Sequence, residues 1–203
     1  MLKIVLASQS PRRKKLLNQL GFRFEIIPST CAEIITSTKP TQVVTELALQ
    51  KATEVAHQTE NALVIGADTI VVLNGAIIGK PDSPTHAHEM LQTLSGNTHQ
   101  VYTGVAFVKT SSSGTIIQNY SFFEETEVEF SHLSDSEIQN YVATGSPLDK
   151  AGAYGIQDDW GAVFVKRIEG DYYNVVGFPL NRFYNELKHF APELLKTITL
   201  PTP

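Results

Sequence analysis

A chain of 203 residues, 42% hydrophobic and 18% charged, can bury a sizeable core as one large domain or two small lobes. Its net charge of −5 is the wrong sign for a protein that grips nucleic acid along the backbone, and no apolar run is long enough to span a membrane. The single cysteine, Cys31, excludes an intrachain disulfide and a cysteine-cluster metal site; it points to the cytoplasm and reads as a small buried hydrophobe or a bystander.

Leu2 to Ala7 is a short apolar run that reads as a strand, not as a signal peptide. A helix follows: Ser10 suits the N-cap, Pro11 the first helical position and Gly21 the stop, with Leu16, Leu17 and Leu20 on the core face. Its first turn carries Arg12, Arg13, Lys14 and Lys15. A helix N-terminus favours negative charge by about 0.3–1 kcal/mol per group, so this row runs against the local rule unless an anion binds there. Backbone N–H groups, Ser8, Ser10 and the arginines make a phosphate site; a solvated basic turn is the competing reading.

Phe24 to Ile27 is a second strand, and Pro28 to Pro40 is a loop holding Glu33 without an obvious local cation. Residues 41–57 are an amphipathic helix with Val44, Leu47, Ala48, Lys51 and Val55 on one side. Lys51 is the anomaly on that face: it either snorkels to water or serves a site. Ala62 to Leu73 is the most apolar run, and its one charge is Asp68. A carboxylate in a β-branched strand costs several kcal/mol unless it is paired or bound to a cation, which makes Asp68 the leading site acid. Asn74-Gly75 forms a hairpin turn to Ile77-Ile78. Gly79-Lys80-Pro81 ends the hairpin and is not a Walker motif.

Ser83-Pro84 opens a helix to Leu94, closed by Gly96. His86 and His88 stand two apart and diverge, and the other histidines lack ligand spacing. Thr98 to Lys109 and Thr115 to Phe130 are long β segments around the turn Ser111-Ser-Ser-Gly114. Ser134 and Glu137 form a capping box for a helix to about Ala143. The irregular stretch Pro147 to Gln157 contains Gly152 and Gly155, and Asp149 and Lys150 read there as an ion pair. Strands are expected over Val163–Ile168 and Tyr172–Val176, then a helix from Pro179 to about Phe190 and a loosely held tail from about 191.

Seven stretches in this order resemble the Maf family of nucleoside triphosphate pyrophosphatases. They are Ser8-Gln-Ser-Pro-Arg-Arg13, Gln50-Lys-Ala52, Gly66-Ala-Asp-Thr69, Gly79-Lys-Pro81, Leu94-Ser-Gly96, Asp149-Lys-Ala-Gly-Ala-Tyr-Gly-Ile-Gln157 and Asn174-Val-Val-Gly-Phe-Pro179. No single piece is decisive, but the ordered set spans nearly the whole chain. The resemblance implies one Maf-like domain over residues 1–203, of α/β class, with a mixed central sheet flanked by helices and two lobes around a substrate cleft. It also implies a homodimer and a divalent cation, Mg2+ or Mn2+. The implied activity is hydrolysis of a nucleoside triphosphate to monophosphate and pyrophosphate, which would serve to clear non-standard nucleotides. Arg12, Thr69 and Gln157 look like the branch acting on dTTP and UTP, not the one acting on 7-methyl-GTP. Departures are small: Phe178 stands where leucine is frequent, and Thr30-Cys-Ala-Glu33 lacks an acid that commonly precedes the glutamate.

On that reading Asp68, Glu33, Lys51 and Lys80 are catalytic, and Glu33 and Asp68 hold the metal. Ser8, Ser10, Arg12, Arg13, Thr69 and Gln157 bind substrate. The cations would neutralise a triphosphate, and magnesium takes one or two carboxylates plus phosphate oxygens and water. Asp68 orients or deprotonates the attacking water, directly or through the metal, and the sequence leaves both open. The Gln157 amide offers an acceptor for a base N3–H and a donor to O4, which suits thymine or uracil. A non-catalytic nucleotide-binding regulator of cell division is the alternative; it would keep the cations but tolerate loss of Asp68.

Overall fold

The computed structural model describes residues 2–157 and 160–198. Its centre is a mixed seven-stranded sheet flanked by helices, in the strand order β2-β1-β3-β5-β6-β7 with β4 paired to β3. The strands are β1 (Lys3–Leu6), β2 (Glu25–Ile26), β3 (Ala62–Leu73), β4 (Ala76–Ile78), β5 (Thr98–Thr110), β6 (Ile116–Phe130) and β7 (Val165–Glu169). The helices are α1 (Pro11–Gln19), α2 (Pro40–Ala56), α3 (Pro84–Leu94), α4 (Asp135–Ala143), α5 (Gly161–Phe164), α6 (Tyr172–Val176) and α7 (Leu180–Phe190). β1 is parallel to β2 and β3, whereas the β3–β4 and β6–β7 pairs are antiparallel. The chain divides into two compact units: residues 1–68, 103–124 and 177–203 form the first, and residues 69–102 and 125–176 the second.

In the first unit, β1, β3 and β5 pack against α2 through Val5, Val64, Ala106 and Val108, met by Ala48, Ala52, Val55 and Ala56. The alanines matter because they let the helix backbone come close. A Cβ on Gly66 would stand 2.2 Å from the Ala48 carbonyl oxygen, and one on Gly104 2.2 Å from the Val44 carbonyl oxygen. Glycine at both strand positions therefore seats α2 directly on β3 and β5. Phe107 is fully buried among Phe122, Phe183 and Phe190, fixing α7 to the same unit.

The second unit has an aromatic core of His99, Phe130, Tyr141, Tyr154 and Phe164. The β3–β4 hairpin turns through Asn74 and Gly75, both at positive φ, as its sequence requires. Ser134 and Glu137 form the expected capping box on α4.

Three segments differ from the sequence reading. Tyr172–Val176 is a helix, not a strand. Asp171 Oδ1 accepts from the Tyr173 and Asn174 amides, and buried Asn174 donates to the Val101 carbonyl and Thr126 Oγ1. Those bonds, local at Asp171 and tertiary at Asn174, outweigh the β propensity of Tyr-Tyr-Asn-Val-Val. Residues 163 and 164 belong to α5, so the strand there begins at Val165. Beyond 190, Pro192–Thr197 forms a 3-10 helix with Leu194 buried and Glu193 paired to Lys109 at 2.8 Å; residues 199–203 lie outside the described residues. Among the described residues no helix is long and apolar enough to cross a membrane.

Candidate active site

Side chains on one face of a strand recur every second residue. The Gly66 position that faces α2 therefore sends Asp68, two residues on, towards the same helix. There it meets Lys51, whose Nζ lies 2.5 Å from Asp68 Oδ1 and 2.7 Å from Glu33 Oε1. Lys51 and Asp68 are largely enclosed, at 17% and 13% side-chain exposure, while Glu33 is 52% exposed. The lysine on the apolar face thus neither snorkels nor stands alone. It supplies the partner that both anomalous carboxylates lack in the sequence.

The turn from β1 into α1 builds a second cluster in the same unit. Ser10 caps α1 by accepting from the Arg13 amide at 3.4 Å, and buried Ser8 accepts from the Ser10 amide at 3.2 Å. Arg13 donates to Ser8 Oγ at 3.3 Å, to the Ala67 carbonyl at 2.9 Å and to the Gly177 carbonyl at 3.0 Å. It therefore ties the turn to β3 one residue before Asp68. Burial lowers its guanidinium pKa to about 10, against the pull of Asp68, so Arg13 stays a cation at neutral pH. Arg12 is half-buried, and Lys14 and Lys15 are exposed.

Ser8, Ser10, Arg12, Arg13, Glu33, Lys51 and Asp68 all belong to the first unit. Thr69, Lys80 and Gln157 belong to the second. Within it, the Gly152 amide donates to the Gly79 carbonyl at 3.0 Å, which fastens the Lys80 turn to the loop ending at Gln157. Gly152 has a φ of 68°, and a Cβ there would stand 2.9 Å from Val71 Cγ2, so the loop needs glycine to lie against β3. Lys150 is buried beneath that loop. Its Nζ donates to the Ser146 carbonyl at 2.5 Å, to Ser146 Oγ at 3.1 Å and to Asp149 Oδ1 at 2.9 Å. The Asp149–Lys150 ion pair is thus present, and Lys150 in addition anchors the turn at Ser146.

Glu33 and Asp68 both meet the Lys51 ammonium, and one or two carboxylates are what a magnesium-like ion takes from a protein when other oxygen ligands and water complete its shell. As a donor set the two carboxylates fit a divalent cation whose remaining positions are filled by ligands from outside this pair. Among the described residues no group of three or more His, Cys, Asp and Glu could hold an ion by itself. Sequence reading missed how the Glu33 loop is held. Glu54 accepts from the Thr30 amide and hydroxyl, each at 2.9 Å, and from the Cys31 amide at 3.1 Å. The only signal in the sequence is a polar residue every fourth position of α2.

Residues 3–190 match the Maf-like protein family, and the chain belongs to that family. A Bacillus cereus protein named dTTP/UTP pyrophosphatase is 51% identical over 191 residues, covering 94% of this chain and 96% of the relative. A Lachnoclostridium phytofermentans protein of the same name is 47% identical over 197 residues, covering 97% and 99%.

Proposed function

We propose that the protein hydrolyses nucleoside triphosphates, dTTP and UTP foremost, to the nucleoside monophosphate and pyrophosphate. The observation that carries this reading is near-full-length identity of 47–51% to relatives named for that activity. The Lys51–Asp68–Glu33 cluster supplies a chemistry that agrees with it.

A triphosphate needs positive charge and N–H donors. Ser8, Ser10, Arg12, Arg13 and the amides at the start of α1 bind its oxygens, with Lys51 and Lys80 adding charge. Glu33 and Asp68 would hold the divalent cation, which when bound neutralises polyphosphate charge and favours departure of pyrophosphate. Asp68 orients the water that adds to the α-phosphorus and draws off its proton. The bond from the α-phosphorus to the bridging oxygen breaks, and that oxygen leaves with the electron pair on pyrophosphate. Most of the acceleration comes from fixed charge aimed at the reacting phosphate. Gln157 accepts from N3–H and donates to O4 of thymine or uracil, and Thr69 contacts the nucleotide beside it. The same reading makes the protein a cytoplasmic homodimer whose partner is a nucleotide; the net charge of −5 supports the exclusion of nucleic acid.

Turnover of UTP in 18O-labelled water tests the bond cleaved. Label in the monophosphate is expected from attack at the α-phosphorus. Label in pyrophosphate, or release of inorganic phosphate and a diphosphate, would refute the proposal.

A further inference from the structure

The loop carrying Glu33 is not held by its own backbone. Among the described residues, main-chain groups from 28 to 38 make no hydrogen bond to another main-chain group. The anchors of the loop, to its main chain or its side chains, are side chains of α2 at four-residue intervals, met in reverse order along the loop. Ser37 Oγ donates to Gln42 at 2.6 Å, and Thr36 Oγ1 to Glu46 at 2.7 Å. Gln50 grips Ile34 twice, accepting from its amide at 3.0 Å and donating to its carbonyl at 2.7 Å. Glu54 takes the Thr30 and Cys31 amides and the Thr30 hydroxyl. One stripe of the helix therefore lays the loop antiparallel to it. Consecutive residues Gln50 and Lys51 hold consecutive residues Ile34 and Glu33.

We infer that Gln50 and Glu54 are positioning residues for Glu33: they bracket it on either side and set its carboxylate on Lys51 beside Asp68. A half-exposed glutamate on a loop without main-chain bonds has many rotamers and backbone states, and the bracket removes most of them. The Glu54 carboxyl is suited to the task, because the Ser29 and Thr30 hydroxyls and the Thr30 and Cys31 amides hold its pKa down to about 2. It therefore stays an ionised acceptor at neutral pH. The kinetic part of this inference rests on the pyrophosphatase reading; the structural part does not.

Two measurements on the full chain test it. Amide hydrogen exchange in Glu54→Ala should rise about tenfold or more at Thr30 and Cys31 and also at Ile34, beyond the residues Glu54 touches. A rise confined to Thr30 and Cys31 would overturn the bracket. With UTP and magnesium, Glu54→Ala and Gln50→Ala should each lower kcat about tenfold, with Glu54→Gln falling between alanine and wild type. On a Glu33→Gln background the same changes should cost nothing further. Wild-type kcat in Glu54→Ala, or losses that multiply with Glu33→Gln, would overturn the inference. A wild type that turns over no triphosphate would instead sink the pyrophosphatase reading, and the exchange result alone would then decide the bracket.

Discussion

The Ala48 carbonyl oxygen of α2 occupies the space next to Gly66 of β3, only 2.2 Å from where a Cβ would stand. That contact sets the height of the helix above the strand. Lys51 and Asp68 meet because of it, one lying three residues beyond Ala48 and the other two beyond Gly66. The backbone cannot yield there as a flexible side chain could. Gly66→Ala should therefore destabilise the fold by about 1–3 kcal/mol or more and separate the ion pair. Urea unfolding of the variant checks the first part, and loss of turnover in the remaining folded fraction the second. Wild-type stability would mean that α2 shifts freely on the sheet.

Lys51 and Asp68 form a largely enclosed pair, so removing one partner leaves the other charge poorly solvated. Lys51→Met and Asp68→Asn should each destabilise, while the double variant should be more stable than the sum of the two losses predicts. A coupling of about 1–3 kcal/mol is expected from a double-mutant cycle by chemical denaturation. Simple additivity would show that the contact contributes no stability in solution.

His99 should give the fold an acid-sensitive limb. Its ring is fully buried, Nε2 meets the Tyr154 hydroxyl at 2.8 Å, and Nδ1 has no partner among the described residues. Burial lowers its pKa from 6.5 to about 4. The unfolded chain therefore binds the proton first. The stabilisation is present above the unfolded value and is lost as pH falls towards 4. Between pH 7 and pH 5 the loss from this residue should be about 2 kcal/mol. Unfolding free energies at the two pH values, compared with His99→Phe, measure it; an equal acid loss in the variant would assign the effect elsewhere.

Gln157 is expected to select the base. A carboxylate at that position can accept from N3–H but cannot donate to O4, and it sets a negative charge against that oxygen. Gln157→Glu should reduce kcat/KM for dTTP and UTP by about a hundredfold while leaving the basal rate with purine triphosphates near its wild-type level. An unchanged ratio across the nucleotide panel would remove Gln157 from base recognition.

Much of this molecule is legible in the chain because local chemistry and tertiary packing agree. Ser10-Pro11 starts α1, Asn74-Gly75 turns the β3–β4 hairpin, and Ser134 with Glu137 caps α4 where the sequence places them. Asp68 and Lys51 each stand out as a charge on an apolar face. Their pairing does not, because nothing in the spacing says that Gly66 seats α2 so closely. The Glu33 loop hides its order for a similar reason: its anchors lie on another element, and polar residues every fourth position also describe an ordinary solvated helix face. Tyr172–Val176 misleads because two hydrogen-bonding side chains, Asp171 and Asn174, outweigh the propensity of their neighbours.

The most direct test of the central claim is pyrophosphate release from a panel of nucleoside triphosphates with magnesium, comparing wild type with Asp68→Asn. The account predicts turnover of dTTP and UTP by the wild type and its loss in the folded variant. Equal turnover by both proteins, or wild-type binding of these nucleotides without hydrolysis, would contradict it.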